Sequence, residues 1–392
     1  MLRLVSRFKI TQQPSEAYPS RAETYTFNFV NNCTISSSWE TLTDTAKLRF
    51  PKKIYFTDSQ GNKVNWDGKN TGGTGKNLMP LLLRGDKIKI ELGYIYPSEL
   101  SDETKELNTE FEGYISKVGT KIPIEIECED RMFVLKQKKL ENKLYKASEY
   151  DAQKMLKEML AQFDDLSDIT LVTGTATSQT ISTQIGDFRT LEDSIGSVLD
   201  RLKKDARIYC WFRGNELRCS GLVYYPSDRV SHNFVFQKNI ISDNLEYKRI
   251  DDILIGAKAY SISKEELNTT NESGGKKTKR KRLETFVGSK DGEIRTLHFF
   301  GITTEEELKK VAEQELRKFY YTGYNGTFTT FGLPSVKHGD ECKIKDKTQP
   351  ERDGGYLVKS TEKSFGVDGF RQTIQLHLKL DNFSSEQILA GL

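Results

Sequence analysis

The sequence predicts a mainly β protein with an α+β middle section, built from two antiparallel β-barrel domains that are related by internal duplication. Period-two alternation of apolar and polar residues dominates the first and last thirds of the 392-residue chain. Helical periodicity is concentrated between these thirds. A short set of motifs also occurs twice, in the same order, once in each β-rich part.

The first β-rich region is predicted to span residues 1–139. In TYTFNFV, alternation places Tyr25, Phe27 and Phe29 on one face of a strand. The segment WDGKNTGGTGKN at 66–77 is rich in Gly and Asn and therefore predicts a loop. Further strands are predicted at 1–10, 46–50, 54–56, 86–92, 110–118 and 122–128.

Residues 140–244 are predicted to form a separate α+β domain. Apolar residues recur at helical spacing in 147–163 and again in 190–202. Thr190 and Asp193 form a capping box for the second helix, with Asp in place of the usual Glu. The following segment, RIYCWFRGNELRCSGLVYY, predicts a β-hairpin with Gly-Asn at its turn.

The second β-rich region is predicted to span 245–382, and a short C-terminal tail follows at 383–392. The region opens with the alternating DDILIGAKAYSIS and closes with TIQLHLKL at 373–380. One helix is predicted at 304–321. A polar segment at 268–282 is predicted to be a loop that interrupts the strands.

The duplication is predicted from a signature of turns and strand starts. A Gly-Asp pair opens an alternating run in each copy, because Gly permits positive φ and Asp hydrogen-bonds the backbone where a strand begins. A Gly-Tyr pair and another alternating strand follow. The signature residues are Gly85, Asp86, Gly113 and Tyr114 in the first copy, and Gly339, Asp340, Gly355 and Tyr356 in the second. Two copies indicate a duplicated domain rather than a solenoid, which needs three or more repeats.

Composition narrows the class of protein. The chain has 59 basic and 56 acidic residues, a net charge of +3, which is atypical of a dedicated nucleic-acid-binding protein. No apolar run is long enough for a transmembrane helix, so no membrane insertion is expected. The N-terminal residues lack the features of a signal peptide, which indicates folding in a reducing cytoplasm. The five cysteines are scattered and odd in number, so buried free thiols are expected: Cys33, Cys128, Cys210, Cys219 and Cys342.

No catalytic, cofactor-binding or metal-binding residue is predicted. The four histidines are scattered, and neither His-Glu-x-x-His nor Cys-x-x-Cys spacing occurs. No Gly-x-Ser-x-Gly elbow is present. GGTGKN at 72–77 is similar to part of a phosphate loop, but Asn77 stands where Ser or Thr would bind magnesium. Arg-Gly-Asp at 84–86 is expected to be a turn ahead of a strand rather than an adhesion motif.

The strongest charge run is KKTKRKR. Its basic residues are Lys276, Lys277, Lys279, Arg280, Lys281 and Arg282. The run follows Gly-Gly in the polar segment and lacks the interleaved aromatic residues that stack on bases. It is therefore expected to be a flexible, solvated loop, with contact to nucleic acid or an acidic partner as the alternative.

The segments around both signatures resemble a known family. GDKIKIELGY, EFEGYISKV and PIEIECEDRMFVLKQK are similar to the first barrel of phage baseplate hub proteins. That group includes late control protein D and its relatives in other contractile injection machines. FGLPSVKHGDECKI and GGYLVKSTEKSFGVDGFRQTIQLHL resemble the second barrel. The family also has a helix-containing middle section, so the resemblance covers roughly residues 1–382.

The resemblance implies a structural, non-enzymatic role in the baseplate of a virion tail, after folding and assembly in the host bacterial cytoplasm. Both barrels would be tail-tube-like, and a homotrimer would offer six of them to the sixfold tail tube protein. The other side would receive a threefold central spike.

Fused family members continue into an oligonucleotide/oligosaccharide-fold domain and a spike, whereas this chain stops soon after its second barrel. The spike is therefore expected to be a separate protein. Baseplate wedge or tape measure proteins are further implied partners, and DNA would only pass through the channel.

Two alternatives from other functional classes stay open at this point. A tail-tip cell-wall hydrolase would need a carboxylate pair or a metal cluster in a cleft. A receptor- or glycan-binding β module would present an exposed aromatic platform. Fold alone does not decide among these functions.

Overall fold

The computed structural model describes most of the chain. The described residues are 3–51, 53–66, 80–95, 106–119, 121, 123–173, 187–206, 208–220, 229–270, 276–300, 302, 304–317 and 319–380. Within them, no helix is both long and apolar enough to span a membrane.

The first β-rich region consists of strands whose inward residues form one core. In β9, for example, Ile124, Ile126 and Cys128 are buried, while the glutamates between them lie on the outer face. The strands are β1 (Arg3–Thr11), β2 (Thr24–Phe27), β3 (Asn32–Ser38), β4 (Thr45–Phe50), β5 (Ile54–Thr57), β6 (Lys63–Trp66), β7 (Lys87–Ile95), β8 (Glu106–Val118) and β9 (Ile124–Glu129).

The middle section has its own core, between two amphipathic helices and short strands. Its elements are α1 (Met132–Leu135), β10 (Lys143–Tyr145), α2 (Ala152–Ala161), β11 (Thr170–Val172), β12 (Phe188–Thr190), α3 (Ile195–Ala206), β13 (Tyr209–Arg213) and β14 (Glu216–Ser220). Helix α2 begins after Asp151, whose carboxylate accepts the backbone N–H of Lys154 at 2.7 Å and so caps the helix.

The second β-rich region forms a second barrel core and carries a small insertion. In the insertion, α4 packs its apolar face onto a three-stranded sheet. The elements are β15 (Ser231–Val235), β16 (Ile240–Lys248), the inserted β17 (Ile255–Thr270), β18 (Lys276–Gly288), β19 (Glu293–Phe300) and α4 (Glu305–Arg317), and then β20 (Gly323–Phe331), β21 (Glu341–Lys345), β22 (Gly354–Gly366) and β23 (Gly369–Lys379).

One sheet runs through both barrels. Its path is β16-β20-β23-β22-β3-β4-β9-β8-β7-β1-β2-β5-β6, with β21 and β15 attached beside β22. Neighbouring strands on the path are antiparallel. The barrels therefore meet strand to strand, at β22 and β3, rather than through loops.

Strand order confirms the duplication predicted from the sequence. The order β3-β4-β9-β8-β7 in the first barrel matches β16-β20-β23-β22-β21 in the second, and every pair in both series is antiparallel. The copies differ in what interrupts them. The β5–β6 hairpin follows β4 in the first barrel, whereas the α4 insertion follows β16 in the second. The sixth strand also differs, because β1 is antiparallel to β7 and β15 is parallel to β21.

Several local predictions need correction. Thr190 lies in β12 and is not a helix cap; α3 starts at Ile195, and the hydroxyl of Ser194 accepts the N–H of Ser197 at 3.1 Å. Because β12 continues through Thr190, the helix begins only after a four-residue turn. Ser194, the residue directly before the helix, therefore takes the capping position. The helix predicted at 304–321 ends earlier, at Arg317. All of the predicted 66–77 loop except Trp66, which ends β6, falls outside the described residues.

The predicted basic loop at 268–282 is largely a β-hairpin. Strand β17 continues to Thr270 and β18 begins at Lys276, and the register pairs Lys264 with Arg280. Six basic residues therefore lie on a strand: Lys276, Lys277, Lys279, Arg280, Lys281 and Arg282. The third strand, β19, accompanies β17 only as far as Ile262. Because the outer part of this hairpin has no apolar face to bury, its sequence lacks the alternation that predicts strands.

Replacing residues 264–280 by Asn-Gly shortens this hairpin to the part that β19 supports. We expect a change in the free energy of unfolding below about 0.5 kcal/mol, since the removed residues lie beyond the part of β17 that pairs with β19. Thermal denaturation and solution mass measure the effect. Loss of soluble protein would show that the outer hairpin is needed for folding.

Candidate functional site: the joint between the two barrels

The two Gly-Asp pairs form equivalent turns. Gly85 has φ +95°, its N–H donates to the carbonyl of Ile115 at 2.8 Å, and Ile115 N–H donates to the Asp86 carbonyl at 2.8 Å. Gly339 has φ +85° and makes the same exchange, through Asp340, with Val358 at 2.9 Å in both directions. Positive φ at both positions explains why the sequence has Gly there.

Both turn aspartates are buried and hold the turn from inside. Asp86 accepts the N–H of Leu83 at 2.8 Å, and Asp340 accepts that of Lys337 at 2.9 Å. Asp86 also forms an ion pair with Arg21, in which both side chains are 1% exposed. The Arg-Gly-Asp at 84–86 is therefore part of a turn whose carboxylate faces the protein interior.

In the second copy, a histidine occupies the place of this arginine. His232 Nε2 lies 3.1 Å from the Asp340 carboxylate, and both residues are buried. The two copies thus keep the aspartate but differ in the side chain that contacts it.

The Gly-Tyr pairs are displaced by one residue. Lys87, which follows Asp86, pairs with Tyr114, whereas Glu341, which follows Asp340, pairs with Leu357. Tyr114 is therefore equivalent to Leu357, and Tyr356 to Gly113. A one-residue shift along a strand moves a side chain to the opposite face.

The two tyrosines accordingly have different surroundings. Tyr356 is fully buried in the second barrel, where its hydroxyl accepts the N–H of Tyr324 at 2.9 Å. Tyr114 points toward the middle section and stacks on Phe133, with ring centroids 5.6 Å apart. Gly355 pairs with Lys343 in the β21–β22 ladder. The two Gly-Tyr pairs are therefore alike in sequence but do not occupy equivalent positions in the two barrels.

Strand β22 joins the two barrels because one of its edges holds two neighbours. Its first residues pair with β21, and the residues from Ser360 to Gly366 pair with β3, from Ser38 to Asn32. Register shifts around Val358 separate the two stretches. Such bulges bend a strand and redirect its edge.

The tip of the β22–β23 hairpin packs inside the first barrel. Phe365 and Phe370 are buried and belong to the core cluster of that barrel. Tyr94 on β7 donates its hydroxyl hydrogen to the carbonyl of Phe370 at 2.8 Å, and the two rings lie 5.7 Å apart. The first barrel therefore depends on side chains of the second to complete its core.

A buried ion pair crosses the same joint. Lys363 on β22 donates to the carboxylate of Glu110 on β8, and their side chains are 4% and 0% exposed. Ser335 bridges them, since its hydroxyl donates to Glu110 at 2.8 Å and accepts from Lys363 at 2.7 Å. Desolvation lowers the pKa of Lys363, and the charge of Glu110 and its hydrogen bond oppose that shift.

The middle section meets both barrels at a cluster of titratable groups around a cavity of about 230 Å³. Burial raises the pKa of Asp44 to about 6, against hydrogen bonds from Ser37 and Ser38. Burial, with the Arg213 charge second, lowers the pKa of His338 to about 3. Asp44 and His338 lie 3.8 Å apart, beyond hydrogen-bond reach, so desolvation favours the neutral form of each over an ion pair.

Asp130 is the second acid of this cluster. Its pKa is raised well above the usual range, first by burial and then by the neighbouring Asp44. Arg213 on β13 donates to the carbonyl of His338 at 3.0 Å and so links the middle section to the second barrel.

The outer face of the shared sheet is polar on both sides of the joint. On the first barrel its charges are paired, as where Lys47 and Arg49 contact Glu125 at 2.7 and 2.8 Å. Across the joint lies a trough of about 490 Å³ lined mainly by serine and threonine, including Ser36, Ser360 and Thr373. The face therefore combines neutral hydroxyl groups with salt-bridged charges.

One strand edge of the second barrel has no partner among the described residues. Strand β16 is equivalent to β3, and β20 pairs with one of its edges as β4 pairs with β3. The other edge of β3 holds β22, but in the described part of the chain no strand lies against the corresponding edge of β16. An open edge of nine residues is a site for strand addition.

The residues of the joint were missed in the sequence analysis. A signal for one of them exists: Lys363 occupies an inward position of β22, between the buried Thr361 and Phe365. A lysine inside an apolar alternation indicates a buried partner of opposite charge. Glu110, 253 positions away in sequence, carries no comparable local signal.

The Glu110→Gln variant tests the buried ion pair. It leaves the Lys363 ammonium without a counter-charge, so we expect a loss of about 3–5 kcal/mol in the free energy of unfolding. The double variant with Lys363→Met should recover much of this loss. Lys117→Met, at the exposed pair with Glu127, is the matched control and should cost less than about 1 kcal/mol. Additive effects of the two substitutions in the double variant would contradict the pairing.

The Asp44→Asn variant tests the titration at the junction. The pKa of Asp44 is higher in the folded than in the unfolded protein. Its contribution to the free energy of unfolding is therefore most favourable at low pH and is lost as the pH rises through about 6. The difference in free energy of unfolding, variant minus wild type, should therefore grow by roughly 2–3 kcal/mol between pH 4 and pH 8. Urea denaturation at both pH values measures it, and the His338 contribution cancels in the difference. A difference independent of pH would refute the assignment.

Known structures share this architecture, although no protein-family profile and no curated protein matches the sequence. A tail protein from Neisseria meningitidis aligns with TM-score 0.59 and 11% identity, over 97% of both chains. The 43 kDa tail protein of prophage MuSo2 from Shewanella oneidensis aligns with TM-score 0.54 and 11% identity, over 95% of this chain and 98% of that one. An Escherichia coli component of the type VI secretion system, described as similar to bacteriophage tail proteins, aligns with TM-score 0.50 and 10% identity, over 93% of this chain and 75% of that one. This chain has the fold of phage tail proteins and of their type VI secretion counterparts.

Proposed function

We propose that this protein is the structural baseplate hub of a phage tail or a related injection machine. It acts as a homotrimer with pseudo-sixfold symmetry that adapts a sixfold tail tube to a threefold spike. The observation that carries the proposal is the pair of like barrels joined edge to edge, while no described strand pairs with the equivalent edge of β16. The shared fold of the tail proteins supports it.

We infer the contact between chains from the contact between the two barrels within one chain. Strand β3 meets β22, so by equivalence β16 of one copy meets β8 of the next. Three chains then provide six barrels, with internal and intermolecular joints alternating around a closed ring. Pairing with the end of β8 covers part of the open strand, which would otherwise favour uncontrolled association.

The two kinds of joint differ in strength. Beyond the equivalent residues Ile115 and Val358, β8 continues only to Val118, whereas β22 continues to Gly366. The intermolecular joint therefore lacks the hairpin tip that places Phe365 and Phe370 in the neighbouring core. We therefore expect each chain to fold first and to assemble with the other chains afterwards.

The polar outer face of the sheet is proposed to line the channel. Its serine and threonine hydroxyls are neutral, and its basic residues Lys47 and Arg49 are paired with Glu125, so a tape measure protein and then DNA pass without strong electrostatic binding. The tail tube protein binds on the sixfold side, and a separate central spike protein on the threefold side. Wedge proteins hold the rim within the virion baseplate, and assembly takes place in the host cytoplasm.

A cell-wall hydrolase is the second candidate, since Asp44 and Asp130 form a close pair of carboxyl groups. Asp130 is buried and Asp44 half-buried, and the cavity beside them, about 230 Å³, is smaller than typical ligand pockets of 300–1,000 Å³. Among the described residues, no group of three or more His, Cys, Asp and Glu side chains fits a metal ion. Release of fragments from peptidoglycan would revive this candidate, and retention on a glycan column would revive a receptor-binding module.

Light scattering tests the proposed trimer. The chain of 44.8 kDa should give three times that mass at high concentration, and a monomer over the whole accessible range would contradict the ring.

Two neighbouring proline variants, Asp243→Pro and Asn244→Pro, locate the contact on β16. Successive N–H groups of a strand point to opposite edges, so one variant disrupts pairing with β20 and the other removes a donor from the open edge. We expect one variant to lower thermal stability and the other to keep the fold but lose the trimer. If both folded variants stay trimeric, this edge is not the interface.

A further inference from the structure

Cys210 and Cys219 oppose each other across the β13–β14 hairpin. They are directly paired in the register and are 3% and 2% exposed. Both are free thiols in this structure, as are Cys33, Cys128 and Cys342. The proposed function leaves this pair without a role.

The hairpin geometry suits a disulfide at this pair. The two-residue turn at Gly214 and Asn215 is closed by Arg213 and Glu216, and the cysteines are the fourth pair from the turn. Hydrogen-bonded and non-hydrogen-bonded pairs alternate from such a turn, so the cysteines occupy a non-hydrogen-bonded pair with Cα atoms about 4.5 Å apart. This lies within the 4.4–6.8 Å range of disulfides.

The thiols already interact with each other. Burial first, and then the hydrogen bond with Cys210, raises the pKa of Cys219 well above its usual range. A small thiolate fraction makes oxidation slow while the hairpin stays closed. Cys33 on β3 and Cys128 on β9 provide an internal comparison, because β4 lies between their strands and holds them too far apart to bond.

We propose that Cys210 and Cys219 form a redox site that closes to a disulfide when the protein meets a low-molecular-weight disulfide such as oxidised glutathione. One cysteine thiolate attacks the glutathione disulfide and releases the first glutathione thiol. The second cysteine then displaces the other glutathione, so two protein thiols are oxidised and one disulfide is reduced to two thiols. The two protons lost by the cysteines are taken up by the released glutathione thiolates.

The disulfide would stiffen the contact between the middle section and both barrels. The opposite face of the same hairpin carries Trp211 and Arg213, which contact His338 of the second barrel. Tyr209 on that face packs edge-on against Trp39 of the first region at 4.9 Å. A cross-link between β13 and β14 therefore restrains the element that ties the three parts together.

The test uses the full chain, incubated with oxidised glutathione at pH 8.5 and then alkylated in denaturant. We expect an intact mass lower by two hydrogens before alkylation, three alkylated cysteines, and a tryptic cross-link between the peptides of Cys210 and Cys219. The Cys219→Ser variant should show no such loss, whereas Cys33→Ser should behave as wild type. The oxidised protein should melt about 2–5 °C higher than the reduced protein.

A second experiment refolds the protein from urea in a glutathione redox buffer. The two thiols are then exposed before the hairpin closes, so their burial no longer slows oxidation. If the refolded protein still has five alkylatable cysteines, or links other cysteines, the proposal is wrong. Stable glutathione adducts on Cys210 or Cys219 without a cross-link would also overturn it. None of these outcomes depends on whether the protein forms a trimer.

Discussion

The whole architecture depends on β22 sharing one edge between two strands. Its first half completes the second barrel with β21, and its second half pairs with β3 of the first barrel. The bulges around Val358 allow both, because they redirect the edge between the two stretches. Without this division the chain would hold two separate barrels, and neither the continuous polar face nor the shared core would exist.

Burial determines which ionisable groups can stay charged at this joint and at the neighbouring junction. Lys363 and Glu110 are both buried and balance each other's charge, with Ser335 bridging the ammonium and one carboxylate oxygen. At the neighbouring junction, desolvation disfavours the charged forms of the half-buried Asp44 and of the buried Asp130 and His338. We therefore expect the contact between the middle section and the barrels to depend on pH, whereas the contact between the barrels rests on an ion pair and on aromatic packing.

Much of the fold was predictable because local rules determine it. The Gly-Asp turns need positive φ and a backbone acceptor, and both requirements show in the sequence at Gly85 and Gly339. The Gly-Tyr match was misleading, because a one-residue offset places Tyr114 and Tyr356 on opposite faces. The joint itself was not predictable, since Phe370 packs against Tyr94 from 276 positions away in the chain. The basic segment before Arg282 was mistaken for a loop because its sequence lacks the apolar alternation that predicts strands.

The positions of the insertions show which parts of the barrel plan are free to vary. The first barrel adds its hairpin after β4, and the second adds an entire helix-containing unit after β16, yet the five common strands keep their order. Linking two such barrels in one polypeptide has a simple numerical result. Any closed circle made from these chains contains an even number of barrels, and half of its seams are fixed by covalent connection before any two molecules meet.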